Sequence, residues 1–212
     1  VGVAFKVAHA LLGEIPKDFY YLVAIGTIAD LVSLTGENRY LVQQGLKQMQ
    51  HTDSVAIEAL ANVSGVDLRS IDEETVGFMF GPRINAVGRL GEAAPGVDMF
   101  LTENPNHALA MANMLNEKNK ERQAIVKQIT DEAMEQLELF PPLDGASVIV
   151  VGKIGWNPGV LGIVASKLVE KYYRPAIVLG FDEDKKIAKG SARSIEGFHM
   201  YKELAKNQDI VS

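Results

Sequence analysis

Cysteine is absent from the 212 residues. Disulfides and thiolate metal sites are therefore excluded within them, and the fold must be held by packing, hydrogen bonds and charge. That composition suits a reducing compartment, and a cytoplasmic setting is the expectation. Surplus positive charge is lacking too: 21 Lys and Arg against 27 Asp and Glu leave a net charge of −6. This argues against a protein that coats nucleic acid nonspecifically, but leaves room for a local basic groove or a metal-bridged phosphate. No apolar run is long enough to cross a bilayer and no signal-peptide pattern opens the chain. Because Val1 is not a natural start, the natural N-terminus is expected to lie upstream. The four histidines, His9, His51, His107 and His199, show no metal-ligand spacing, and no serine sits in a nucleophile-elbow context. Internal repeats and low-complexity segments are missing as well.

What is present is a core-forming composition, 47% apolar and 23% charged, enough for one large or two small domains. The segment GVAFKVAHALL places Val3, Val7, Ala10 and Leu11 on one helical face, and Gly13 and Pro16 end it. The run YYLVAIGTIADLVSL then reads as a buried strand over Tyr21–Ile25, which implies a parallel sheet whose beginning is not in this sequence. GENRYLVQQGLKQMQ reads as a helix with Leu41, Val42, Leu46 and Met49 inward. Asp53 and Asp72 are expected to cap the two helical segments that follow.

The clearest element begins at Asn104, an N-cap with Pro105 at the first helical position, and runs until Pro141 and Pro142 stop it. Met111, Leu115, Arg122, Ile125, Ile129, Ala133 and Leu137 recur near the helical period. At 1.5 Å per residue such a helix is about 50 Å long, the dimension of a strut joining two domains. A second α/β unit follows: strand ASVIVVG, a helix with Asn157 as N-cap and Pro158 first, strand PAIVLGF, a DEDKK turn, strand IAKGSARS and a helix from Phe198.

Several constellations could carry chemistry. Asp30 follows the supposed strand into the apolar run Leu31-Val32; burying its charge would need compensation, and a hard divalent ion at a strand end would supply it. A helix-capping aspartate is the plainer alternative. In GFMFGPRINAVGRLGEA, Arg83 and Arg89 flank Asn85 on what reads as a glycine-broken connector; guanidinium forks suit phosphate oxygens, though pairing with nearby acids explains them equally. VVGKIGWNPGVLG is a strand–loop–helix junction that could hold an anion, with Lys153, Trp156 and Asn157 at hand, but it has neither Walker A nor dinucleotide spacing. Trp156 is either a stacking platform for a base or a packing plug, the plug being commoner. Ser191 and Arg193, two apart on a strand, share a face and could clamp a phosphate. From Lys153 to Arg193 basic residues outnumber acidic ones, unlike the chain as a whole.

Taken in order, GVAFKVAHALL, AIGTIADLVSLTGENR, GPRINAVGRLGEA, GKIGWNPGVLGIVASKL and KGSARS closely resemble the single-strand-specific DNA exonucleases of the DHH phosphoesterase superfamily, over essentially the whole chain. The resemblance implies an α/β fold made of the C-terminal part of a parallel-sheet DHH catalytic domain (1–102), a long connecting helix (103–140) and an incomplete DHH-associated domain (141–212). It implies 5′→3′ hydrolysis of single-stranded DNA in repair and recombination, with Mn²⁺ or Mg²⁺, two ions in the intact enzyme. Asp30 matches the family's metal-ligating aspartate. Arg83, Asn85 and Arg89 match its RINAxGR segment beside the active site, and Ser191 and Arg193 its strand at the 5′ phosphate. Lys153, Trp156 and Asn157 are the further substrate-binding candidates. Single-strand-binding protein and a helicase are the implied partners of a monomer acting away from membranes.

The family's Asp-x-Asp pair, its Asp-His-His signature and its Gly-Gly-His motif are not in this sequence, so a core fragment, inactive in isolation, is the expectation. Two other readings stay open: a phosphodiesterase of the same superfamily acting on short oligonucleotides or cyclic dinucleotides, and a non-catalytic DNA-binding module. Cleavage of a long single strand against a dinucleotide separates the first from the exonuclease reading.

Overall fold

The computed structural model describes residues 1–140 and 147–206. Contacts divide the chain into two units, Val1–Lys120 and Glu121–Ser212. Among the described residues the first is entirely helical, and all strands belong to the second, so the chain as a whole is α/β.

Helices α1 (Gly2–Leu12), α2 (Tyr20–Ala29), α3 (Gly36–Gln50) and α4 (Val55–Ser64) open the first unit. The strand expected over Tyr21–Ile25 is instead the interior of α2. Its run is apolar without a two-residue alternation, and short apolar runs do not separate buried strand from buried helix. Burial follows the helical period, with Val23, Ala24, Thr27 and Ile28 all inside. Close backbone approach fixes its partner: a methyl added to Gly45 of α3 would stand 2.4 Å from the Tyr20 carbonyl oxygen and 2.4 Å from the Ala24 Cβ. Phe5 of α1 stacks on Tyr20 at 5.6 Å between ring centres, and Val23 and Leu41 complete that small cluster. The apolar face of α1 is not inward as its pattern suggests; Val3, Val7 and Leu11 are exposed and Phe5 alone is buried.

Leu41, Val42 and Met49 of α3 are buried with Leu46 half-buried, as the pattern predicts. Asp53 does not cap α4; Ser54 holds that position without a side-chain bond, and its own N–H donates to Thr52 Oγ1 at 3.0 Å. Asp72 does cap. Its carboxylate accepts from the Thr75 hydroxyl at 2.6 Å and the Thr75 N–H at 2.7 Å, and these bonds hold its carboxyl below the usual range. The segment beyond is not a broken connector. It is helical from α5 (Glu73–Thr75) through a π-turn (Val76–Phe80) into α6 (Gly81–Leu90). Pro82 lacks an N–H and its ring would strike the carbonyl four residues back in a regular helix; the wider turn, in which the Gly81 N–H reaches the Val76 carbonyl, accommodates it. Helix α7 (Ala94–Leu101) closes the series.

Helix α8 (Pro105–Leu139) has 35 residues. Asn104 caps it as expected, accepting from the N–H groups of Asn106 at 2.9 Å and His107 at 3.2 Å. Ala108, Ala112 and Leu115 enter the core of the first unit with Met49, Ile57, Leu60, Phe80 and Met99. Val126, Ile129 and Ala133 are buried further along, in the second unit. The division between units falls within α8. Pro141 and Pro142 lie outside the described residues.

In the second unit β1 (Ile149–Ile154) pairs parallel with β2 (Ala176–Asp182), and β3 (Ile187–Arg193) pairs antiparallel with β2. The crossover from β1 to β2 is α9 (Leu161–Tyr172), packed through Leu161, Val164, Ala165 and Leu168. The final described helix is α10 (Met200–Ala205), capped by His199. The turn at 183–186 makes the hairpin predicted from DEDKK.

Gly45→Ala is expected to lower stability by about 1–3 kcal/mol, because neither backbone at the α2–α3 crossing can yield cheaply. Gly88→Ala, where a methyl would meet nothing closer than 3.6 Å, is expected to raise it by about 0.5–1 kcal/mol. Denaturant unfolding of both variants checks the contrast.

Candidate metal and nucleic-acid sites

Asp30 occupies the C-cap of α2, and it is exposed rather than buried. Three backbone bonds fix it. Its own N–H donates to the Gly26 carbonyl at 3.1 Å, the Leu31 N–H to Ile28 at 3.0 Å and the Val32 N–H to Thr27 at 3.2 Å. The last two form a Schellman closure, which places residue 31 in the left-handed region at φ 54. Glycine is usual there; here a leucine holds the position, 90% exposed. The carboxylate therefore stands at the negative end of a helix dipole. This replaces the strand-end placement expected from sequence, and the exposed carboxylate is open to solvent rather than buried. Ala29 also touches Gly81, where a methyl would be 3.1 Å from its Cβ, so the start of α6 abuts the end of α2.

On α6 the three motif side chains do not form one group. Arg83 turns inward: Nε donates to Asn116 Oδ1 of α8 at 3.0 Å and Nη1 to the Met79 carbonyl at 2.7 Å. Partial burial pushes its guanidinium pKa down. Asn85 and Arg89, four apart, lie on the exposed side. Among the described residues no cluster of three or more His, Cys, Asp or Glu could hold a metal ion. One carboxylate does not satisfy a divalent ion that takes six or more oxygens, so no hydrolytic step is derived from these residues alone.

The second unit gathers a different set. Strand β3 points Lys189, Ser191 and Arg193 to the face that carries α9, in register with Gly180, Val178 and Ala176. A methyl on Gly162, in the first turn of α9, would stand 3.0 Å from Arg193 Nη2 and 3.4 Å from Ser191 Oγ. Hydroxyl, guanidinium and helix start therefore meet, and no side chain caps that helix. Arg193 makes one bond, from Nη1 to the Ala192 carbonyl at 2.8 Å, and no carboxylate pairs with it among the described residues. Lys189 was not singled out from sequence, although the alternation Lys-Gly-Ser-Ala-Arg contains it. It lines a cavity of about 660 Å³ with Trp156, Asn157, Phe181 and Lys185.

The β1–α9 loop decides one alternative in favour of the packing plug and corrects one cap expectation. Trp156 is 5% exposed and its indole N–H donates to Glu132 Oε2 at 2.7 Å; it is an anchor, not an open stacking platform. Asn157 does not cap α9, which starts four residues later; its Oδ1 accepts from the Gly159 N–H at 2.9 Å in a local turn. Lys153 is exposed, but its ammonium lies 3.2 Å from the same Glu132 oxygen.

Known proteins match the chain along its length. A model described as "DHHA1 domain" matches residues 145–211. The RecJ single-stranded-DNA-specific exonuclease of Bacillus subtilis is 53% identical over 211 residues, all of this chain and 27% of that protein. Over its whole length the chain is similar to part of RecJ. RecJ of Thermus thermophilus is 34% identical over 99% of the chain and 30% of the relative. The crystal structure of Thermus RecJ in complex with Mg²⁺ superposes with a TM-score of 0.83 at 32% identity, covering 95% of this chain and 31% of that one. A RecJ exonuclease bound to manganese gives 0.76 at 31% identity, covering 95% and 49%. The chain thus spans about a third or less of the RecJ proteins of Bacillus and Thermus.

Glu132 gives this region a pH signature. The Trp156 indole, then Gln128, then Lys153 hold its carboxyl at about 2, below the ordinary 4.5. A depressed folded-state pKa contributes stability above about pH 4.5 that is lost as pH falls toward 2. Glu132→Gln is expected to remove on the order of 1–2 kcal/mol at pH 7 and little at pH 2.5, allowing for partial exposure. Unfolding followed by emission of the single tryptophan checks it.

Proposed function

We propose that this chain is the central part of a metal-dependent 5′→3′ exonuclease acting on single-stranded DNA, with residues 1–102 belonging to its catalytic domain, 103–140 to the connecting helix and 141–212 to its substrate-binding domain. The observation that carries the proposal is the pairing of similarity to RecJ along the whole chain with an exposed carboxylate held on a rigid helix C-terminus. Asp30 serves as one ligand of a divalent ion, Mn²⁺ or Mg²⁺, whose other ligands are not among these residues. That ion would supply an activated water and offset charge on the leaving oxygen. Asn85 and Arg89 hold the phosphodiester backbone near it, while Arg83 keeps the turn before them in place.

Ser191 and Arg193 hold the terminal phosphate. A guanidinium without a carboxylate partner, a hydroxyl on the same strand face and uncapped first-turn amides are together the donor set that a phosphate dianion requires. Lys189 extends the same row by one position. The setting in repair and recombination, and any helicase or single-strand-binding partner, follow from the family reading alone.

Two substitutions test this in the full-length protein. Asp30→Ala is expected to cost at least about 10²-fold in nuclease rate with unfolding unchanged, because an exposed cap residue carries little of the fold. Arg193→Ala is expected to weaken binding of a 5′-phosphorylated strand and to reduce the log–log salt slope by about 0.7, the release of one phosphate contact. A fully active Asp30→Ala enzyme, measured on a long single strand with Mn²⁺, would overturn the metal assignment.

A further inference from the structure

The clamp at Ser191 and Arg193 depends on where α9 begins, and α9 begins at the end of a loop that has unusual moorings. On its β2 side the loop lies against bare backbone. A methyl on Gly180 would be 2.3 Å from the Trp156 carbonyl oxygen, and the Gly155 N–H donates to the Phe181 carbonyl at 3.2 Å. On its other side one carboxylate of α8 collects the loop. Glu132 Oε2 accepts from the Trp156 indole at 2.7 Å and from Lys153 Nζ at 3.2 Å, and Oε1 accepts from Gln128 Nε2 at 2.9 Å. Six residues after Trp156, Gly162 lies against the guanidinium of Arg193.

We propose that Glu132 is the positioning residue of the Ser191–Arg193 clamp: it seats Trp156, and through the loop 155–160 it sets the first turn of α9 under Arg193. Its second effect is electrostatic. By pairing with Lys153 it offsets the cation at the end of β1, and Lys185 is offset in the same way by Asp182 at 2.7 Å. Lys189 and Arg193 are the β3 cations on the α9 face without a carboxylate partner among the described residues, and Arg193 is the one that lies against the first turn of α9, so the anion is directed there. Without Glu132 the indole N–H would be a buried donor lacking an acceptor, a condition that drives the side chain out of its seat. This inference rests on the phosphate-clamp reading above.

Because Trp156 is the only tryptophan, its emission reports the seat directly. The test uses the 212-residue chain, with 3′-labelled oligothymidylate carrying either a 5′-phosphate or a 5′-hydroxyl, followed by anisotropy. The wild type is expected to prefer the phosphate. Glu132→Ala is expected to reduce that preference by about fivefold or more, with red-shifted, acrylamide-accessible tryptophan emission. Glu132→Gln keeps an oxygen for the indole and is expected to restore most of both. Should Glu132→Ala fail to fold, Phe in place of Trp156 removes the same hydrogen bond with little loss of bulk, and the same drop is expected. An unchanged preference in Glu132→Ala, or an equal loss in Glu132→Gln, overturns the positioning role while leaving the clamp intact. A wild type with no preference overturns the clamp and the positioning role together.

Discussion

A carboxylate at the C-terminal end of a buried helix works against the local field, since the last carbonyls of the helix already present negative charge there. Asp30 stands in that place, and the surrounding backbone gives it no escape. The Schellman closure consumes the Thr27 and Ile28 carbonyls and forces Leu31 into a left-handed conformation that a leucine adopts at some cost. The helix behind it is pinned by the glycine contact with α3, and Gly81 lets the start of α6 approach within van der Waals distance. The result is an exposed anionic side chain on rigid support. The functional reading of the first unit depends on that fixed placement.

The second unit solves the converse problem of presenting a cation. Its three strands run so close to their neighbours that Gly152, Gly180 and Gly190 each meet heavy atoms within about 3 Å of where a Cβ would be. Register therefore cannot slip, and register is what sends Lys189, Ser191 and Arg193 to the α9 face together. Basic residues outnumber acidic ones along this stretch. Lys153 and Lys185 are each matched by a carboxylate, which leaves Lys189 and Arg193 as the β3 cations on the α9 face without one among the described residues.

Much of this was legible in the sequence where a single physical cause dominated. The cap and proline at 104–105 and the long helical period fixed α8. The apolar run PAIVLGF, the DEDKK turn and the strand IAKGSARS after it made the hairpin readable. Strong amphipathicity fixed α3. The failures came where two causes competed. The run before Asp30 is rich in β-branched residues and apolar all round, so strand and helix were equally compatible until the contact with Gly45 was known. Asn157 has the chemistry of a cap, but the turn it makes with Gly159 delays the helix to Leu161. Residue identities in both sites were readable; the direction each side chain takes was not, because direction depends on neighbours far along the chain, such as Asn116 for Arg83 and Glu132 for Trp156.

Arg83 shows why direction matters for function. Pro82 cannot donate a hydrogen bond, and the π-turn that admits it disturbs the regular ladder of carbonyl acceptors before it. The Met79 carbonyl in that turn accepts from the Arg83 guanidinium, and Asn116 takes a second donor of the same fork. A side chain drawn from the recognisable motif thus braces the turn that the neighbouring proline requires. Lysine could not make both bonds at those two directions, since it offers a point charge rather than a planar fork. Arg83 is therefore tied to the shape of α6 before any phosphate arrives, whereas Asn85 and Arg89 lie on its exposed side. Two constraints thus meet in this segment: the inward arginine braces the turn, and the turn decides which way the outward pair faces.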